Sequence, residues 1–136
     1  MSEEKPPPID RALVDDFVLV AHSDLGAVRQ LLEQEPGLVN CARDWGGGDW
    51  ETGLGAASHM GRREIALFLM ERGARLDIFA AAMLGETEVV RAMLAARPEL
   101  GDARGPHGIP LTKHAEAGGD GARDVLALLE REAATV

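Results

Sequence analysis

Two histidines and two carboxylates, His22, His59, Asp49 and Glu51, are the residues of this sequence best suited to chemistry. An imidazole titrates near neutral pH, and a nearby carboxylate can orient it or stabilise its charge. Such a set can act as a general acid and base if the fold brings its members together. We therefore take these four residues as candidate catalytic residues, and ask which elements position them.

Asp49 and Glu51 belong to a segment of unusual composition, residues 43–51. It reads RDWGGGDWE and holds both tryptophans of the chain, Trp45 and Trp50, on either side of three glycines. Three interpretations remain open. The tryptophans can cover the core beside an irregular turn, present an aromatic anchor to a partner, or line an enzyme site.

The spacing of the four histidines, His22, His59, His107 and His114, does not indicate a metal site, because no two of them have ligand-pair spacing and Cys41 has no second cysteine. His107, in the motif GPHGIP, is expected to brace a turn, and His114 is expected to be buried in a helix. The stretch GGGDWETG has neither the dinucleotide-binding fingerprint nor the lysine of a phosphate-binding loop. We expect no metal and no cofactor.

The composition favours one helical domain. The chain has 136 residues, of which 46% are hydrophobic and 4% aromatic, so its core must consist mainly of aliphatic side chains and methionine. Such a core suits closely packed helices better than a β-sandwich. The net charge of −9 argues against nucleic acids and anionic membranes as partners.

The cellular location is expected to be the cytoplasm. The N-terminal stretch MSEEKPPP lacks the apolar segment of a signal peptide, and no apolar run approaches the roughly 20 residues of a membrane span. A single cysteine fits a reducing compartment. Twelve of the 14 basic residues are arginine, which is typical of a GC-rich bacterial genome.

Apolar residues at helical spacing predict an all-α fold. Ile9, Leu13 and Phe17 begin one such pattern, and similar patterns follow along the chain. No segment shows the alternation that a β-strand requires. Residues 1–8, which are rich in proline, and residues 133–136 are expected to form tails.

The helical patterns repeat. AVRQLLEQEPGLVN, EIALFLMERGARLD, VVRAMLAARPELGD and DVLALLEREAATV are variants of one helix, and a short Ala-rich helix precedes each of them. Two short helices about every 33 residues indicate a helical solenoid, in which each pair buries its apolar face against its neighbours. The expected domain is residues 9–132, with repeats at about 9–43, 44–76, 77–103 and 104–132.

Residues 52–77, TGLGAASHMGRREIALFLMERGARLD, resemble the pattern T-P-L-H-x-A-A-x-x-G-H-x-E-I-V-x-L-L-L-x-x-G-A-D-x-N of the ankyrin repeat family. IPLTKHA at 109–115 is similar to the start of that pattern, whereas Gly53 and Gly55 depart from it. DIFAAAMLGETEVVRAML looks like a repeat that has lost its hairpin finger. The resemblance implies an ankyrin-repeat solenoid of about four helix pairs whose third pair lacks a finger.

The family binds other proteins through its fingers and through the concave groove formed by the first helix of each pair. Carried onto this sequence, the resemblance implies a non-enzymatic module that binds another protein. The partner-binding candidates are Trp45, Asp49, Trp50, Glu51, His59, Met60, Met83 and His107. The alternative is a small-molecule-binding protein or an acid–base enzyme, with a pocket in the groove formed by His, Asp, Glu and Trp side chains.

Overall fold

The computed structural model describes residues 4–134 as a stack of short helices. Within this range the α-helices are α1 (Arg11–Val20), α2 (Leu25–Gln34), α3 (Gly53–His59), α4 (Arg63–Glu71), α5 (Ile78–Leu84), α6 (Thr87–Ala96), α7 (Leu111–Ala117) and α8 (Arg123–Ala134). The expected all-α class is confirmed. The tail expected at 133–136 is helical as far as Ala134, and its last two residues lie outside the described range.

One expectation was wrong, because the described chain does contain strands. The strands β1 (Ala42–Asp44) and β2 (Trp50–Thr52) pair antiparallel, with Arg43 opposite Glu51. Each strand has three residues, which is too short to show the alternating pattern by which a strand is recognised in a sequence. We call this hairpin, residues 42–52, the first finger.

Helices pair in chain order, and the pairs stack. Helices α1, α3, α5 and α7 form one layer in which each packs against the next, and α2, α4, α6 and α8 pack against their outer side. Close approach in the inner layer depends on small residues: Ala80, Ala81 and Ala82 of α5 are fully buried. Gly85 ends α5 in a left-handed conformation (φ 78°), and a side chain there would collide with the carbonyl oxygen of Gly121.

The connection between α4 and α5 contains no strand in the described chain, whereas residues 103–110 form a second projecting loop. A bridge between Arg104 and Pro110 closes this loop, and the amide of Gly105 donates to the carbonyl of Ile109 at 2.8 Å. We call residues 103–110 the second finger. The helix pair α5–α6, which lies between the two fingers in the stack, has no finger of its own. The first and second fingers can therefore contact each other.

The core is divided into two clusters that follow the repeats. Phe17, Leu54 and Leu69 belong to the cluster of the first two pairs, and Leu111 and Val125 belong to that of the last two. Inner and outer helices both contribute large apolar side chains to these clusters, and the burial of these side chains is the main favourable contribution to folding.

Replacement of Leu69 by alanine tests the outer-helix packing. Leu69 is fully buried in α4, so L69A is expected to lower the free energy of unfolding by about 2–5 kcal/mol. Leu67 lies in the same helix but is 42% exposed, so L67A is expected to change the free energy of unfolding by less than about 1 kcal/mol. Urea denaturation measures both, and equal losses would contradict the assignment of the buried face.

His114 provides a test of the second cluster by pH. The side chain is fully buried in α7 beside Phe79, and burial, with a smaller contribution from the charge of His59, lowers the pKa of His114 from 6.5 to about 4. The unfolded chain therefore binds a proton more readily, and this residue lowers stability as the pH falls from about 6.5 toward 4. When the pH falls from 7 to 5, the free energy of unfolding of H114L should decrease by about 1–2 kcal/mol less than that of the wild type. The same loss in both proteins would contradict this assignment.

Candidate functional site

The first finger is shaped by a carboxylate and three glycines. Oδ1 of Asp44 accepts hydrogen bonds from the amides of Gly46 (2.9 Å) and Gly48 (3.0 Å), and the amide of Trp45 donates to the carbonyl of Asp49 at 3.0 Å. All three glycines have positive φ, a conformation that side chains rarely adopt. The sequence DWGGGDW therefore makes a tight reversal that sends its two tryptophans in different directions.

Alternation in β2 directs Trp50 outward and Glu51 inward. Trp50 is 60% exposed, while Glu51 is 1% exposed. The sequence-based expectation that Glu51 is an exposed recognition residue was therefore wrong, because successive side chains of a strand point to opposite faces. Thr52 ends the strand, and its hydroxyl accepts a hydrogen bond from the amide of Gly55 (2.9 Å), so it caps the N-terminus of α3.

Three histidines surround the carboxylate of Glu51. Its Oε1 lies 3.2 Å from Nε2 of His22 and 3.3 Å from Nε2 of His107, and its Oε2 lies 3.0 Å from Nε2 of His59. The four ligand atoms all lie within 4.8 Å of one another. We call these four residues the His–Glu cluster.

Each member of the cluster comes from a different segment of the chain. His22 lies in the turn after α1, Glu51 in β2, His59 at the last residue of α3, and His107 at the tip of the second finger. The structure thus brings the candidates His22, Glu51 and His59 together and adds His107. Spacing along the chain could not reveal this set, because successive members are 29, 8 and 48 residues apart and meet only when the helix pairs stack.

Four aromatic rings enclose the Glu51 carboxylate. His22 contacts Trp45 and His59 edge-on, at centroid distances of 6.0 and 5.1 Å, and His107 contacts the same two rings at 5.4 and 5.5 Å. The rings therefore form a closed circle in the order His22, Trp45, His107, His59. Glu51 lies at its buried end, so the circle is a cup with a carboxylate at its base.

A second layer of hydrogen bonds orients three of these side chains. Nδ1 of His22 donates to the carbonyl oxygen of Val18 at 2.9 Å, and Nδ1 of His107 donates to Oδ2 of Asp49 at 2.8 Å. The indole N–H of Trp45 donates to Oε1 of Glu51 at 2.9 Å. Hydrogen bonds of this kind fix the ring orientation and tautomer of histidines that bind metals, and they orient the carboxylates beside them.

Asp49 holds the tip of the second finger as well as the ring of His107. Its Oδ1 accepts from the backbone amide of His107 at 2.7 Å, in addition to the bond between Oδ2 and the ring. The backbone hydrogen bond is the main cause of a lowered pKa of Asp49, and the charge of His107 adds to it. His107 itself has a left-handed backbone (φ 62°), which is uncommon for a residue other than glycine.

Glu51 is ionised in spite of its burial. Burial raises the pKa of a carboxyl group, but the contact with His59 and the charges of His22 and His107 outweigh that effect, so the pKa of Glu51 is lowered. A buried carboxylate without compensating partners would be strongly destabilising. The three histidines therefore stabilise the anion that they surround.

The protons of the cluster allow two states. A carbonyl oxygen and an ionised carboxylate can only accept, so Nδ1 of His22 and Nδ1 of His107 carry hydrogen. Their Nε2 atoms then face Glu51 either with a second hydrogen or with a lone pair. The first state is an acid–base network, whereas the second is a set of ligands for a cation.

The contact between His59 and Glu51 favours the second state. Nε2 of His59 and Oε2 of Glu51 are buried and 3.0 Å apart, but they do not meet in hydrogen-bond geometry, and neither has another hydrogen-bond partner within residues 4–134. Buried polar atoms are rarely left in this condition. A cation between the two atoms would satisfy both.

The other candidates from the sequence have different surroundings. Met60 is 44% exposed, which suits a recognition residue, but Met83 is fully buried against the first core cluster, so its expected exposure was wrong. Helix α5 packs between α3 and α7, and these two neighbours keep solvent away from Met83. Cys41 is half-buried, and burial raises the pKa of its thiol.

Sequence reasoning missed Arg43. Its guanidinium lies over the ring of Trp45, 3.7 Å from the centroid, and so covers the outer side of the cup. No clear signal for this contact is present in the sequence, because β1 has only three residues and Trp45 lies beyond its end.

Comparisons with known proteins give no relative. No protein-family model matches the chain, and neither curated proteins nor solved structures yield a significant match. No helix in the described part of the chain is long and apolar enough to cross a membrane. The geometry of the His–Glu cluster is therefore the main evidence about function.

Proposed function

We propose that this chain is an ankyrin-type repeat protein that binds one divalent transition-metal ion, with zinc as the preferred ion, through His22, Glu51, His59 and His107. The observation that carries the proposal is the convergence of three imidazole Nε2 atoms on one buried carboxylate. We expected no metal site from the sequence, because that expectation relied on the spacing of residues along the chain. The metal site proposed here differs from that prediction.

The ankyrin part of the proposal is supported by the helix pairs, the finger before α3 and the sequence of residues 52–77. Thr52 begins α3 as the family pattern implies. The connection at residues 72–77 has no strand, in agreement with a third repeat without a finger.

The distances within the cluster fit a zinc site. Bonds of about 2.0–2.1 Å that meet at the ion at roughly 90–110° place neighbouring ligand atoms about 2.9–3.4 Å apart, and four protein ligands at such angles leave a fifth position on the ion. The His22 and His107 nitrogens lie 3.2 and 3.3 Å from Oε1 of Glu51, and the His59 nitrogen lies 3.0 Å from Oε2, all within this range. Small rotations of the rings would bring the remaining atoms, all within 4.8 Å, around one centre.

The chemical nature of the ligands indicates which ions can bind. Imidazole nitrogens suit zinc, copper(II), nickel, cobalt and iron(II), and one carboxylate is compatible with each of them. The cluster contains no thiolate, which would favour copper(I). Calcium and magnesium prefer sites made of oxygen ligands.

Zinc titration of the chelator-treated protein tests the proposal. The wild type is expected to bind one zinc ion per chain by isothermal titration calorimetry, and H59A is expected to lose most of the affinity because it removes a ligand. D49N retains all four ligands but weakens the orientation of His107, so its affinity should fall about 10–100-fold.

His114 provides the matched control for this titration. It is a histidine outside the cluster, so H114L should bind zinc as the wild type does. A wild type that binds no zinc, nickel or cobalt would overturn the metal proposal and leave the acid–base network as the function of the cluster.

A second function, the binding of another protein, is favoured by the exposure of Trp50. The indole is 60% exposed at the first finger, and it borders a groove of about 370 Å³ that is also lined by Asp49, Phe79, Arg104 and Pro106. Exposed tryptophans often supply a large share of binding energy at protein interfaces. Trp50 is absent from the His–Glu cluster, so both functions can belong to one chain.

Substitution of the two tryptophans separates their roles. W50A should change the free energy of unfolding by less than about 1 kcal/mol, yet weaken capture of a protein partner from a native extract. W45A should cost several times more stability, because Trp45 packs against the first core cluster and donates to Glu51.

Iodide quenching checks the two orientations directly. Iodide should quench Trp50 in W45F more strongly than Trp45 in W50F. Stronger quenching of Trp45 would contradict the structure of the finger, and equal capture of partners by wild type and W50A would exclude Trp50 as the anchor.

A further inference from the structure

We propose that the metal ion keeps one exchangeable coordination position on the solvent side of the cup, opposite Glu51, and that this position takes a small anionic ligand with an oxygen or nitrogen donor. The inference rests on the metal site proposed above. It adds that the ion would be a reactive centre rather than a structural one.

The exposed fractions of the four ligand side chains indicate on which side of the ion the exchangeable position lies. The side chain of Glu51 has no exposed surface, whereas those of His59, His22 and His107 are 13%, 18% and 31% exposed. The carboxylate is thus the deepest ligand, and the three rings reach the surface. An ion held by these ligands has protein on the Glu51 side and solvent access on the opposite side.

The circle of rings restricts the size of what can enter. His22, Trp45, His107 and His59 contact one another in sequence, with centroid distances of 5.1–6.0 Å, so they close the sides of the cup. A ligand must approach along the axis of the circle. Small molecules or the terminal group of a larger one can reach the ion in this way.

The charges around the ion favour an anion. A divalent ion with three neutral imidazoles and one carboxylate leaves one positive charge. Arg43 lies over Trp45, and Nε of Arg62 donates to the carbonyl of His22 at 3.1 Å, so two further cations lie next to the cup. Asp49 is the anion nearest to His107, and it already accepts two hydrogen bonds from that residue.

Water is the simplest ligand for this position. A zinc ion in an open site strongly lowers the pKa of its bound water, so an ion held by the His–Glu cluster could supply hydroxide at a lower pH than bulk water does. An anion such as azide, or the carboxylate or hydroxamate group of an organic ligand, can replace it. Structural zinc sites, by contrast, have no exchangeable position.

Cobalt(II) in place of zinc tests the inference, because its visible spectrum reports the coordination of the ion. Cobalt bound to the chelator-treated wild type is expected to give d–d bands, and added azide or acetohydroxamate is expected to change them in a saturable manner. Bands that are unchanged by either anion would overturn the exchangeable position while leaving the metal site intact. Absence of the bands would overturn the metal site itself.

Two variants make the test specific. W45F keeps the aromatic ring that closes the cup but removes its hydrogen bond to Glu51, and its cobalt spectrum should still respond to azide. H107A removes the most exposed imidazole and one side of the cup, so any cobalt that it binds should respond to the bulkier acetohydroxamate at lower concentration than the wild type does. No difference between H107A and wild type would show that the rings do not restrict access.

Discussion

The buried carboxylate of Glu51 is the constraint on which the rest of this site depends. An anion with almost no solvent contact must find its compensation within the protein. Here that compensation comes from three histidines and one indole N–H, which belong to separate segments of the chain. The turn after α1, the end of α3 and both fingers must therefore all be in place for this one side chain to be stable.

Much of the fold could be predicted from the sequence, because helices leave a strong periodic pattern. The apolar spacing in α4 and the alanines of α5 each indicated the helix that is observed. The hairpin of the first finger could not be predicted in this way. Three residues per strand are too few to show alternation, and without the strand Glu51 could not be assigned to the inner face.

The site could be predicted in part. His22, His59, Asp49 and Glu51 were selected from their side-chain chemistry, and the structure does bring His22, His59 and Glu51 together. His107 could not be placed, because its position depends on the length of the connection between α4 and α5 rather than on its own surroundings in the sequence. Met83 illustrates the same limit: its exposure depends on how closely α7 approaches α5, which glycines such as Gly118 determine.

The contact between Asp49 and His107 has a consequence for the stack of helix pairs. In an ordinary solenoid each repeat touches its neighbours alone, so repeats can be added or removed and the ends can unfold independently. Here two residues that are 58 positions apart are joined across an intervening helix pair. The number of helix pairs between them is therefore fixed by the site, and the stack should unfold as a single cooperative unit rather than pair by pair.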